Sequence, residues 1–208
     1  MTLTEVLVTI GVVLLLFLVL VYASLPQLKA IAIRQNCYSN LRAGSAAFWD
    51  WAGDNNDKMP MELSTNNGGA REWMMQGKVS EVFLIMSNEF GTPRILICPA
   101  DSRTWVTNWN QFDNQHLSYF VNADAHYNTN FSDPSMSVFL FGDRNLTNGT
   151  GPKNGILELT VGVEWTTELH NGRGNICLAN GAVLKLKNSN LRTTIEATGS
   201  ASNRLAIP

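Results

Sequence analysis

The sequence predicts an α+β fold: one long N-terminal helix, apolar in its first half, packed on an antiparallel β-sheet head with long loops. Three observations carry this reading. Residues 6–25 contain no charged side chain, and the stretch that follows acquires a helical apolar face. Beyond residue 53, short apolar runs alternate with clusters of Gly, Asn, Asp and Pro. The 208 residues therefore divide into a hydrophobic, transmembrane-length segment at 1–27, an amphipathic helical half at 28–52 and a β-rich head at 53–208.

The first segment has the length of a membrane span. At about 1.5 Å per helical residue, about 20 residues cover about 30 Å, the thickness of a bilayer's hydrocarbon core. A secretory signal peptide opens on basic residues and closes on a small-residue cleavage site, whereas no Lys or Arg precedes Lys29 and Ala23-Ser24-Leu25-Pro26 makes a poor site. The segment is read as retained, and the missing basic flank as the trace of a leader removed ahead of Met1. Downstream, Leu28, Ile31, Cys37, Leu41, Ala47, Phe48 and Trp51 approximate a 3.6-residue period, so the helix is expected to run from residue 2 to about 51. Pro26 lies at the changeover. It deletes an amide donor and crowds the preceding turn, which predicts a kink or local loosening.

The polar, Pro-ended stretch 53–60 stops the helix. Strands are then expected at 95–97, 117–121, 137–141, 155–161, 175–178 and 182–186, with 82–86 either a strand or part of a short helix over 80–88. Apolar runs flanking Ala179-Asn180-Gly181 predict a hairpin closed by a tight primed turn. The tail after Lys187 is read either as a last turn of helix or as a surface segment.

Formal net charge is -2, and the Lys and Arg residues are scattered singly, so no nucleic-acid partner is expected. The sequence has no nucleophile elbow, phosphate-binding loop or zinc-hydrolase motif, and an enzyme is not predicted. Glu5 poses a different question. A lone carboxylate heading a lipid-compatible helix costs several kcal/mol unless it finds a cation, and the nearest one is an α-amine, the chain's own at Met1 being one candidate. As an alternative, Glu5 is an ordinary first-turn residue favoured by the helix dipole.

Thr2-Leu3-Thr4-Glu5 followed by an unbroken apolar helix resembles the mature end of type IV pilins and type II secretion pseudopilins, with Met1 in place of their commoner Phe. Further landmarks resemble the large pseudopilin-like proteins of planctomycetes and verrucomicrobia. These are Asn36-Cys37-Tyr38-Ser39-Asn40-Leu41-Arg42, the loop at 54–60, Ile97-Cys98-Pro99-Ala100-Asp101, and His170 followed after nine residues by Asn180-Gly181. That ending usually carries Asp-Gly. The resemblance implies a pilin-like fold, cleavage by a prepilin peptidase with methylation of Met1, storage in the inner membrane, and polymerisation by assembly machinery into an extracellular helical homopolymer. Within it, Glu5 would pair with a neighbouring subunit's Met1 amine, Gly11 would permit close helix approach, and the helix near Pro26 would be the place to melt. The runner-up is a membrane-anchored surface binding protein that uses Trp-rich loops, Trp105 and Trp109 above all, and does not polymerise.

The same resemblance pairs Cys37 with Cys98 as a disulfide and leaves Cys177 as a buried strand residue; pairing of Cys98 with Cys177, or three reduced thiols, stay open. Asp54, Asn56 and Asp57 bring hard oxygens together and are weak calcium candidates, although turn chemistry accounts for them better and no other cofactor is expected. His170 is read as a structural hydrogen bonder without an evident carboxylate partner. Asp101, Asp113, Asp124 and Asp143 are read as separate loop acids. Asn130, Asn145 and Asn148 fit the N-glycosylation pattern, which chance explains in an Asn-rich chain.

Overall fold

A computed structural model describes residues 2–127, 137–159, 162–199 and 203–208. Helix α1 (Leu3–Asp54) is a single α-helix through its whole length. The helix is not interrupted at Pro26, where a kink or local loosening is expected. The proline leaves the carbonyl of Tyr22 without its helical donor, and one turn away Ser24 donates its hydroxyl to the Val21 carbonyl at 2.7 Å.

Only the C-terminal part of α1 enters the core. Cys37, Leu41, Gly44, Ser45, Ala47, Phe48, Trp51 and Ala52 are buried, at the three- and four-residue spacing of one helix face. Leu28 and Ile31, expected on that face, are 57% and 66% exposed, because the head first covers the helix around Ile33 and Arg34. The helix thus changes environment some five residues later than the sequence reading places it.

The head begins with short helices, α2 (Arg71–Met75), α3 (Ser80–Ile85) and α4 (Ser87–Phe90), and a 3-10 turn at Pro93–Leu96. The run at 82–86 is therefore helical. The run at 95–97 is a 3-10 turn and its exit, since Pro93 presets the first helical position. Strands β1 (Tyr119–Asn122), β2 (Phe139–Asp143), β3 (Leu146–Thr147), β4 (Ile156–Glu158), β5 (Glu164–Trp165), β6 (Arg173–Leu178) and β7 (Val183–Lys187) follow, then helix α5 (Asn188–Ala197) and strand β8 (Arg204–Ala206). Six of the strands form one antiparallel sheet in the order β4-β8-β1-β2-β6-β7, and β3 pairs with β5.

The sheet sorts its side chains by the two-residue period of a strand. Tyr119, Val121, Cys177 and Ala206 join the core under α1, whereas Phe120, Ile176 and Leu205 join a second core with Leu191 of α5. An irregularity in register between Phe139 and Phe141 turns Leu140 and Phe141 together toward α1 while Phe139 faces the second core. Phe48 of α1 meets Phe83, Phe90 and Phe141 with ring centroids 6.0, 6.4 and 5.3 Å apart. These ring contacts anchor helix to sheet.

The β6–β7 hairpin closes differently from the primed turn. Gly181 donates its amide to the Leu178 carbonyl at 2.9 Å and has φ +83°, while Asn180 is not left-handed. The loop is thus Ala179, Asn180 and Gly181, with the glycine taking the bulge position. On the other face of the hairpin, Trp165 lies flat on Gly174, and an added Cβ there would stand 2.3 Å from the indole. Trp165 is 3% exposed and has nowhere to withdraw. Gly174→Val is expected to lower stability by about 1–3 kcal/mol through overpacking, read as a fall in denaturation midpoint with an unchanged denaturant slope.

Candidate functional site

Two features stand apart from the ordinary packing: the uncovered N-terminal half of α1, and the clasp that holds its other half to the head.

Residues 2–32 are exposed except for the half-covered Ser24. At about 1.5 Å per residue they extend about 45 Å. Leu7, Val8, Val13, Leu15, Phe17, Leu18 and Leu20 are each at least 60% exposed. No residue in the helix's most apolar stretch is buried. This is one helix long and apolar enough to cross a membrane. Single exposed leucines are ordinary on protein surfaces, but a contiguous stripe of this extent marks a surface that meets lipid or protein.

At its tip, Thr2 and Glu5 form a capping box. The Glu5 amide donates to Thr2 Oγ1 at 3.4 Å, and the Thr2 amide donates to Glu5 Oε2 at 2.9 Å. In the single chain the Glu5 carboxylate thus has a local partner in the Thr2 amide. Met1 lies outside the described residues. Gly11 has no neighbouring atom within 4 Å of an added Cβ, so its surface is open to close approach.

The clasp is covalent and polar. Cys37 of α1 is bridged to Cys98, with Cα atoms 5.0 Å apart. Around the bridge, Asn40 Nδ2 donates to the Ile97 carbonyl at 3.2 Å, and Arg34 Nη2 donates to the carbonyls of Gly174 and Leu186 at 3.1 and 3.2 Å. Trp49 Nε1 donates to the Ala179 carbonyl at 3.0 Å. Burial, then the nearby Arg173 charge, lowers the Arg34 pKa, an effect partly offset by Asp143.

Beneath the bridge lies a buried polar cluster. His170 Nε2 is 3.3 Å from Cys98 Sγ and 3.3 Å from Asp143 Oδ2. The same Oδ2 accepts from Asn175 N at 2.7 Å and Asn175 Nδ2 at 2.9 Å. Asp143 is thus no isolated loop acid: it ends β2, is fully buried, and supplies the carboxylate partner that His170 lacks in the sequence reading. Burial, reinforced by the Asp143 charge, pushes the Tyr119 phenol well above its ordinary range, so that it stays neutral and can only share a proton. Cys177, the free cysteine, is buried on β6, and burial pushes its thiol up to about 12.

The remaining acids also find partners. Asp101, three residues after the bridged Cys98, accepts from Arg144 Nε and Nη2 at 2.9 Å and from Ser118 Oγ at 2.8 Å. Asp113 pairs with His116, and Asp124 with Arg204. Burial alone would raise the Asp101 pKa, but the Arg144 and Ser118 hydrogen bonds outweigh it and hold the carboxyl below its ordinary value. A depressed folded pKa stabilises the fold fully above the unfolded value of about 3.9, and that contribution is lost as pH falls through the folded value. The melting-temperature gap between wild type and Arg144→Met is accordingly expected to narrow below about pH 4.

The remaining sequence candidates disperse. Asp54 ends α1, while Asn56 and Asp57 sit in left-handed backbone at φ 57° and 55°. This is a turn conformation that Asn and Asp tolerate best. Asn145, which fits the glycosylation pattern, is 2% exposed, and its Nδ2 donates to the Thr166 and Arg173 carbonyls, so the amide is not presented to a glycosyl donor. Asn148 Oδ1 closes a turn onto Thr150 and Gly151, and Asn130 lies outside the described residues. Trp51 and Trp165 are buried and Trp109 packs on Phe112, whereas Trp105 is 53% exposed beneath Arg94 at 4.3 Å. Comparison with protein-family models, with curated proteins and with solved structures finds no match.

Proposed function

We propose that the chain is a structural subunit of an extracellular type IV pilus-like or pseudopilus filament with a pilin-like fold. It is held in the inner membrane before assembly and assembled through bundled N-terminal helices. The observation that carries this reading is the division of α1: the head covers one face from about Ile33 to Ala52, and residues 2–32 are left bare. In lipid the bare half is a membrane anchor. Bundled with copies of itself it becomes the dry core of a polymer, because apolar burial at about 25 cal/mol per Å² favours helix contacts once water is the alternative. Glu5 then exchanges its Thr2 amide for the N-terminal amine of an axial neighbour, which fixes the step between subunits.

Gly11 lies in the open stripe where a neighbouring helix would press, and Pro26 weakens the ladder where the bundle meets the heads. The work of such a subunit is mechanical, and the covalent clasp suits it, since tension on the helix reaches the head through Cys37. The test is electron microscopy of material sheared from the cell surface. Uniform fibres whose protein retains residues 2–32 are expected; recovery of the chain solely from the membrane fraction as a monomer would favour the anchored binder instead.

A further inference from the structure

The buried cluster under the bridge has more ligand chemistry than a structural disulfide needs. Cys37 Sγ, Cys98 Sγ and His170 Nε2 lie within 4.8 Å of one another, and Asp143 Oδ2 is 3.3 Å from the same ring nitrogen. Among the described residues Cys37, Cys98 and His170 are the one grouping of three or more His, Cys, Asp or Glu side chains that could hold a metal ion; Asp143 stands just outside it, against His170. Cys37, Cys98 and Asp143 are fully buried, and the His170 side chain is 4% exposed. Asp143 Oδ1 and Asn175 Oδ1 are buried without a hydrogen-bond partner, an expensive arrangement for oxygens that nothing else in the fold uses.

We propose that in the dithiol form of the chain Cys37, Cys98, His170 and Asp143 make a closed tetrahedral site for a divalent cation of the Zn2+ class. The bridge and the ion are alternative occupants of one pair of sulfurs.

Bond lengths of about 2.0 Å to nitrogen or oxygen and about 2.3 Å to sulfur put neighbouring ligands of a tetrahedral zinc about 3.3–3.8 Å apart. The two contacts of His170 Nε2, both 3.3 Å, already have that spacing. Unbridged sulfurs separate to about the same distance, which side-chain rotation at the two cysteines supplies. Two thiolates with one imidazole select a zinc-like ion over calcium or magnesium. Asn175, donating twice to Asp143 Oδ2, fixes the carboxylate in place and leaves Oδ1 as its oxygen without a partner. Four protein ligands leave no open position, so the site is structural.

Loading is an exchange of protons without electron transfer: each cation displaces two thiol protons, and His170 binds through its unprotonated Nε2. The dithiol is the form in which cysteines are synthesised. An ion there would hold Cys37 beside Cys98 and away from Cys177 until a disulfide oxidant takes the two electrons, forms the bridge and releases the ion.

The experiment uses the full chain carrying Cys177→Ser in detergent micelles, reduced with a water-soluble phosphine, which becomes the phosphine oxide. The probe is Co2+, followed by Zn2+. One Co2+ per chain is expected, with thiolate-to-metal charge transfer and the intense visible bands of a tetrahedral ion, displaced by one Zn2+. The oxidised chain should take up neither, and His170→Ala should weaken binding by at least about 10-fold. If reduction loosens the fold, recovery of circular dichroism on adding Zn2+ supports the site equally. A reduced chain that binds no Co2+, or equal binding by Cys37→Ser, overturns the proposal.

Discussion

Glu5→Leu is expected to abolish extracellular filaments while the head folds as before. Glu5 sits on the first turn of α1, and its contacts are confined to that turn. The covered part of the helix begins about 30 residues away. Loss of the capping box costs about 1 kcal/mol at a fraying terminus and nothing in the core. The polymer is another matter. If the carboxylate neutralises a neighbour's N-terminal amine inside a bundle of apolar helices, leucine leaves that amine buried without a counter-ion, which is the costly half of a broken pair. A charge-assisted contact of about 1.5–3 kcal/mol per subunit corresponds to a rise of about 10- to 150-fold in the concentration needed to polymerise. Glu5→Gln keeps the shape and an acceptor oxygen but loses the charge, so it should fall between. The measurement is filament mass in the sheared fraction against total chain by immunoblot. Thermal melting of the detergent-solubilised protein checks the head. Filaments from Glu5→Leu at wild-type yield would remove the assembly role from Glu5.

The parts of this molecule that were legible in the sequence are those set by local repetition. The helix could be read because apolar residues ran unbroken and then fell on one face, and the β6–β7 hairpin because Asn180-Gly181 separates two apolar runs. The strand β8 was not legible: Arg204, Leu205 and Ala206 are too few to show a period, yet they pair with both β1 and β4 in the sheet interior. Non-local pairing of this kind leaves no trace in a short window. Leu28 and Ile31 misled for the opposite reason, since a helical face carries no record of where its partner ends.

The clasp divides in the same way. The bridged cysteines were legible through the landmarks around them, but the Asp143–His170 pair joins the end of β2 to the loop before β6. In sequence Asp143 reads, like Asp101, Asp113 and Asp124, as a separate loop acid. Its place at the end of Phe139–Asp143, a strand of apolar residues, was the available signal of burial.

The second large effect is expected from the covalent clasp. The bridge joins residues 61 apart and closes most of the loop-and-helix layer between α1 and the sheet. In the chain-entropy model a loop of that length contributes about 4 kcal/mol by constraining the unfolded chain, within a usual range of about 2–4. Cys37→Ser combined with Cys98→Ser should therefore melt about 8–16 °C below wild type in metal-free buffer, at about 2–4 °C per kcal/mol for a domain of this size.

Two further terms decide how the loss is distributed. Arg34, Asn40 and Trp49 still tie α1 to the head through backbone carbonyls, so the helix stays docked in the native state. His170, deprived of its sulfur neighbour, keeps Asp143. The deficit should thus appear as easier unfolding, with native circular dichroism retained below the transition. Under tension the difference grows: with the bridge, pulling on residues 2–32 loads the Cys98 loop and its Asp101–Arg144 pair, and without it the load falls on hydrogen bonds that yield one at a time. Adding a phosphine reductant to wild type should reproduce the lowered melting temperature, and a Cys177→Ser chain should show the same drop on reduction. A double-serine variant melting at the wild-type temperature would mean that packing of Leu41, Phe48 and Trp51 alone holds the helix to the head.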